Sequence, residues 1–142
     1  MTTIAFDGKV LAADTQYTSG DFVSGYANKI HKLNDGSYLA MSGQIDYVPV
    51  FIAWLNGGDK PELPAEAQFT AAHFKDGRII EYSSSLNGYT GFTPYACGSG
   101  EAYALTAMKC GKNAIESVKV ACEMDIYSGG EVTHVVINPY DY

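Results

Sequence analysis

Met1-Thr2-Thr3-Ile4-Ala5-Phe6-Asp7-Gly8-Lys9-Val10-Leu11-Ala12-Ala13-Asp14 opens the chain. β-formers run up to Phe6, Asp7-Gly8 is a two-residue hairpin signal, and Val10 to Ala13 returns as a second apolar run. The expectation is an antiparallel hairpin with Thr2 at the tip of its first strand and Asp14 closing its second. Met1 precedes a small residue, the context in which an initiator methionine is normally trimmed, so the mature chain is expected to begin with Thr2. An N-terminal threonine holds a nucleophile and a base in one residue. Its α-amine, with a pKa of about 7.7 to 8.0, is partly unprotonated near neutral pH and can take the hydroxyl's proton. Without further features, the same stretch reads as a threonine-rich edge strand at an ordinary terminus.

Further along, residues 14–26 are polar and glycine-marked, a loop or an irregular strand pair. Residues 28–33 alternate polar and apolar, as in a strand with one buried face, and Asn34-Asp35-Gly36 turns the chain into Ser37-Tyr38-Leu39-Ala40-Met41-Ser42, a buried strand ending at Gly43. Val48, Phe51, Ile52 and Leu55 then recur at helical spacing, Pro49 falls in the first turn, and Gly57-Gly58 stops the helix. A connector over 59–65 leads to a third hairpin, 68–74 and 78–82 around Asp76-Gly77. A polar loop over 83–91 and a strand over 92–97 follow. Beyond Gly98-Ser99-Gly100 two helices are expected, the second spanning 114–124 with Asn113 as its N-cap, before a last buried strand over 132–137. Hairpin-connected strands with helices outside them make an α+β chain of one domain, residues 1–142.

The formal net charge of −7 opposes a sequence-independent grip on nucleic acid, which needs a basic surface. No apolar run is long enough to cross a membrane and no signal peptide is recognisable, so a cytoplasmic protein is expected. Cys97, Cys110 and Cys122 are scattered and read as buried thiols, while His31, His73 and His134 lack ligand spacing, so neither a metal nor another cofactor is expected.

Thr2-Thr3-Ile4, Asp14, Lys29 within Asn28-Lys29-Ile30-His31-Lys32-Leu33, Ser42-Gly43, Gly98-Ser99-Gly100 and Asp125-Ile126-Tyr127-Ser128-Gly129-Gly130 occur in an order that resembles the proteasome β-subunit family, which includes the bacterial HslV proteases. These are N-terminal nucleophile hydrolases. The resemblance spans essentially the whole chain, and its last segment looks more like the proteasome branch than HslV. It implies a four-layer αββα sandwich of two antiparallel sheets and a threonine peptidase.

Each matched residue has a physical task. Thr2 would attack a carbonyl, with its own amine as base. Lys29 would keep that amine from protonating by placing a like charge beside it, and Asp14 would hold Lys29 charged and oriented. The same pair also reads as a structural salt bridge. Gly43 N–H would meet the oxyanion, although a strand-to-helix turn needs glycine anyway. Ser99 resembles the serine beside the threonine amine, and Asp125 and Ser128 the pair supporting it. Structurally, Ser99 also reads as a helix N-cap and Asp125 and Ser128 as the shape of a helix exit.

Carried outward, the resemblance gives Tyr17, Ala27, His31, Met41 and Ile45 as the lining for the substrate residue before the cut, a mostly apolar pocket without fixed charge. The connector over 59–65 stands where the family carries a second long helix. The resemblance further implies a peptide or unfolded-protein substrate, assembly into a homo-oligomer, with a ring among the possibilities, and an ATP-dependent unfoldase as partner. Two other readings use the same fold: an inactive assembly or scaffold protein, and a hydrolase of small amides.

Overall fold

The computed structural model describes residues 2–137; the expected trimming of Met1 lies outside them. The opening hairpin forms where its turn dictates. β1 (Ile4–Phe6) and β2 (Val10–Ala13) pair antiparallel with Ala5 opposite Ala12. Asp7 fixes the turn by accepting from the Lys9 and Val10 N–H groups at 2.9 and 2.8 Å. Its other oxygen accepts from Ala114 N–H at 2.8 Å, which ties the hairpin to the first turn of a distant helix.

Residues 14–26 are the irregular strand pair: β3 (Gln16–Ser19) and β4 (Phe22–Tyr26) form a separate ribbon whose register shifts between Tyr17 and Thr18. β5 (Ile30–Lys32) and β6 (Tyr38–Gly43) follow, then a 3-10 turn (Ile45–Tyr47) and α1 (Val48–Leu55). Gly57 N–H to Trp54 O and Gly58 N–H to Ala53 O, 3.0 and 2.9 Å, close α1 with its last carbonyls satisfied. No helix or strand lies between α1 and β7 (Phe69–Lys75) among the described residues. β8 (Arg78–Tyr82), β9 (Tyr89–Thr90) and β10 (Tyr95–Cys97) precede α2 (Glu101–Lys109), α3 (Ala114–Met124) and β11 (Thr133–Val136). Asn113 caps α3 reciprocally with Glu116, as expected of that asparagine.

Two antiparallel sheets result, β10-β1-β2-β11 and β5-β6-β7-β8-β9. Strand alternation sorts their faces. Ile4, Phe6 and Leu11 point between the sheets onto Ala40, Ala72 and Phe74, with the Phe6 and Phe74 rings edge to face at 5.2 Å. Ala5 and Ala12 point outward beneath Ala104, Val118 and Ala121 of α2 and α3. On the far side Phe51 of α1 packs on Leu39, Met41 and Phe69. Helices, sheet, sheet and helix are the αββα sandwich.

Four local expectations change, the first being that the polar loop expected over 83–91 contains a strand, β9, paired with β8. The strand over 92–97 shortens to Tyr95–Cys97, because Pro94 offers no N–H to a ladder. The last strand is not buried: β11 lies at the sheet edge with alternate residues exposed, and Val136 is 59% accessible. Of the three cysteines only Cys97 is buried; Cys110 is exposed at the C-cap of α2 and Cys122 is half-buried.

Candidate active site

The chain enters β1 through Thr2 and Thr3, both buried, and four other segments meet them there. Lys29, just before β5, extends Nζ to within hydrogen-bond distance of three acceptors: Thr2 Oγ1 at 2.9 Å, Asp14 Oδ1 at 2.9 Å and Gln16 O at 2.7 Å. Lys29 is only 1% exposed and Asp14 is fully buried. A buried charge of this kind persists only when paired and hydrogen-bonded. Asp14 meets that condition, accepting also from Thr3 N–H at 2.9 Å, Gln16 N–H at 3.3 Å and Gly129 N–H at 3.1 Å. Burial lowers the Lys29 pKa from its ordinary value, while Asp14 opposes the fall. The Tyr17 ring lies 4.9 Å from the ammonium.

The other side of Thr2 is held by the segment before α2. Thr2 N–H donates to Ser99 Oγ at 3.1 Å. Ser99 Oγ in turn lies 2.6 Å from Asp125 Oδ2, and that short contact to a carboxylate takes the hydroxyl's single proton. Ser128 Oγ donates to the same carboxylate oxygen at 2.7 Å and stands 2.7 Å from Thr3 Oγ1. Ser99 does not cap α2, whose N-cap is Gly100, whereas Asp125 also serves as the C-cap of α3.

The glycines around this junction are required by space. A Cβ on Gly98 (φ +99°) would run into the Thr2 carbonyl oxygen, and one on Gly100 into Thr3 Oγ1. Gly43 takes φ +97°, and a Cβ there would approach Gln68 O to 2.5 Å. Gly43 and the exposed Ser99 line one hollow of about 420 Å³, together with Ser42, Gln68, Ser83 and Ser84.

Thr2, Asp14, Lys29, Ser99, Asp125 and Ser128 thus belong to one hydrogen-bonded network, with Gly43 facing it across the hollow. Of the five expected lining residues, His31, opposite Leu39, shares one face of the adjacent strands β5 and β6 with Met41. Tyr17 stacks near Lys29, while Ile45 lines a second hollow beyond Gly43. Met41 is buried against α1, and His31 is half-buried on β5, where burial lowers its pKa. Ala27 donates its N–H to Thr15 O and lines a separate depression with Tyr26 and Asn28. Thr3, Gln16 and Gly129 are working members of the network not singled out from sequence as site residues. The adjacent threonine pair and the Ser-Gly-Gly turn were the available signals. Two thiols are poor rival nucleophiles, because burial pushes Cys97 up to about 12 and Cys122 to about 11. No His/Cys/Asp/Glu group among the described residues is arranged to hold a metal ion.

No family model matches the chain. No curated protein matches it in sequence either. Solved structures do. Thiobacillus denitrificans BPH superposes with a TM-score of 0.74 at 22% identity, covering 96% of each chain. The same protein in complex with epoxomicin gives 0.75 at 21%, over 96% of this chain and 98% of that one. Eukaryotic HslV from Trypanosoma brucei gives 0.68 at 16%, over 95% and 97%. At these identities the likeness is one of fold, and the fold is that of HslV.

Proposed function

We propose that this protein is an amide hydrolase of the N-terminal threonine type, acting on peptides, with Thr2 as its nucleophile once Met1 has been removed. The observation carrying the proposal is the double anchoring of Thr2. Its hydroxyl oxygen sits 2.9 Å from Lys29 Nζ and its nitrogen 3.1 Å from Ser99 Oγ, each partner held by its own buried carboxylate. A structural relic has little physical reason to bury a lysine and two acids around one strand tip.

In the proposed sequence the Thr2 hydroxyl proton passes to the free α-amine, and Oγ1 forms a bond to the substrate carbonyl carbon. The carbonyl π pair moves onto oxygen, where Gly43 N–H donates to it. Collapse breaks the C–N bond, and the leaving amine takes the proton from the Thr2 ammonium. Water, deprotonated by the same amine, then adds to the ester carbonyl, and collapse expels Thr2 Oγ1, which takes the proton back from the ammonium and restores the free hydroxyl and amine. Lys29 disfavours protonation of that amine and stabilises Oγ1 as it becomes anionic, Asp14 positions Lys29, and Ser99 with Asp125 and Ser128 positions the amine. Neither a metal nor another cofactor enters the scheme. Access would be controlled by assembly into a homo-oligomer, in a ring of the family's kind, served by an ATP-dependent unfoldase in the cytoplasm.

The test is the intact mass of the purified protein before and after incubation with epoxomicin, with Thr2→Ala in parallel. Loss of Met1 and one adduct on the wild type alone is the expected result. A retained Met1 with no adduct would overturn the proposal in favour of a scaffold protein. Labelling without cleavage of any peptide would favour a small-amide substrate.

A further inference from the structure

A second hollow, about 520 Å³, lies beyond Gly43. It shares Gly43 and Gln68 with the hollow containing Ser99, so the two form the flanks of the proposed oxyanion donor. Their chemistry differs. The Ser99 side is lined by hydroxyls, the Gln68 amide and the apolar Ala67 and Phe69, without a charge, whereas the far side carries Asp21 from the β3–β4 turn and Asp46 from the 3-10 turn, with Tyr127 and Ile45 beside them. No lysine or arginine lines it. The ion pairs among the described residues are Lys29–Asp14 and Lys75–Asp35, and no hydrogen bond or ion pair engages the side chains of Asp21 or Asp46 there. Two uncompensated carboxylates therefore face a cavity next to the reacting centre, with an aromatic ring in the same wall.

Such a cavity selects a cation. Charge complementarity at a partly exposed site adds modest energy per pair, and an aromatic face adds to it when the cation is Lys or Arg. A glutamate side chain there would meet two like charges instead. We infer that this hollow receives a lysine or arginine side chain of the substrate, with Asp21 and Asp46 as the specificity-determining residues. The inference rests on the peptidase reading above. It differs from the pocket expected from sequence, whose five residues carry no fixed charge: Ile45 shares its hollow with two acids that neither composition nor order brings together.

The experiment uses the full chain and a peptide series, identical except that each position around the mapped cut is set in turn to Lys, Arg, Leu or Glu. At one position Lys and Arg should exceed Leu by about three- to tenfold in kcat/KM, mainly through KM, with Glu poorest. Being exposed, the carboxylates should lose part of this preference between about 50 and 300 mM salt. The double variant Asp21→Asn/Asp46→Asn should bring the Lys-to-Leu ratio close to one, and Asp21→Glu/Asp46→Glu should restore it. Wild-type cleavage without a Lys/Arg preference, or a preference that survives the Asn variants, overturns the inference and leaves the peptidase reading standing. No cleavage of any peptide and no epoxomicin adduct on Thr2 overturns both.

Discussion

Replacing Lys29 by methionine preserves most of the side-chain volume and removes only the charge and its donors. In the folded protein this strands Asp14, which is fully buried, without its cation. Removing one partner of a buried pair costs about 3–5 kcal/mol. Asp14 keeps hydrogen bonds from the Thr3, Gln16 and Gly129 N–H groups, and each charge-assisted bond of this kind is worth about 1.5–3 kcal/mol. The carboxylate thus remains partly solvated by the backbone, which places Lys29→Met at the low end, about 3 kcal/mol of destabilisation. The double variant Lys29→Met/Asp14→Asn should cost less than the sum of the two singles by about 1–3 kcal/mol, because they remove one shared interaction. Urea unfolding at pH 7 measures both quantities, and the rate of epoxomicin labelling reads Thr2 in the same samples. Lys29→Met should label at least about a hundredfold more slowly, the scale on which loss of an electrostatic stabiliser is felt. A Lys29→Met protein with stability within about 0.5 kcal/mol of wild type, the range of ordinary surface changes, would refute the buried-pair reasoning.

Other expectations follow from single contacts. Gly98→Ala drives a Cβ into the Thr2 carbonyl at a positive φ, and a loss of about 2–4 kcal/mol in urea unfolding is expected together with weaker labelling at Thr2. Asn113→Ala removes the reciprocal cap of α3 and should cost about 1 kcal/mol without altering labelling, since the cap lies at the far end of the helix from Asp125. His73 is buried beside Ser37, and burial lowers its pKa although Asp35 and Asp76 oppose the fall and Lys75 assists it. The unfolded chain therefore binds this proton more readily than the folded one, so stability should be full above about pH 6.5 and decline as the pH falls toward the lowered folded value. His73→Gln should flatten that decline in urea midpoints measured from pH 7.5 to 5, with His31, lowered by burial as well, supplying part of what remains.

Local signals carried far in this chain because they act within a turn of where they stand. Asp7-Gly8, Asn34-Asp35-Gly36 and Asp76-Gly77 each turn a hairpin, Gly57-Gly58 stops α1, and Asn113 starts α3. Alternation and turns within the chain gave hairpin-connected strands with helices outside them, while the facing of two sheets came from the family resemblance and is what the fold shows. Alternation by itself says nothing of the burial of Lys29, which stands just before β5 and is buried by partners 15 and 27 residues away in sequence. β11 departs from its reading, an apolar run left half exposed because nothing in the described chain pairs beyond it.

Sequence by itself determined which residue types are present for chemistry at Thr2 and the order in which they come. Only the tertiary structure decided that Ser99, 97 residues from Thr2, accepts from its nitrogen, and that Ser128, 125 residues from Thr3, closes the network. It also decided that Asp21 and Asp46 share a wall. The reason is physical: turns and caps are satisfied by neighbours in the chain, but a buried charge must find its partners wherever packing brings them, and a cavity takes its charge from whichever loops border it.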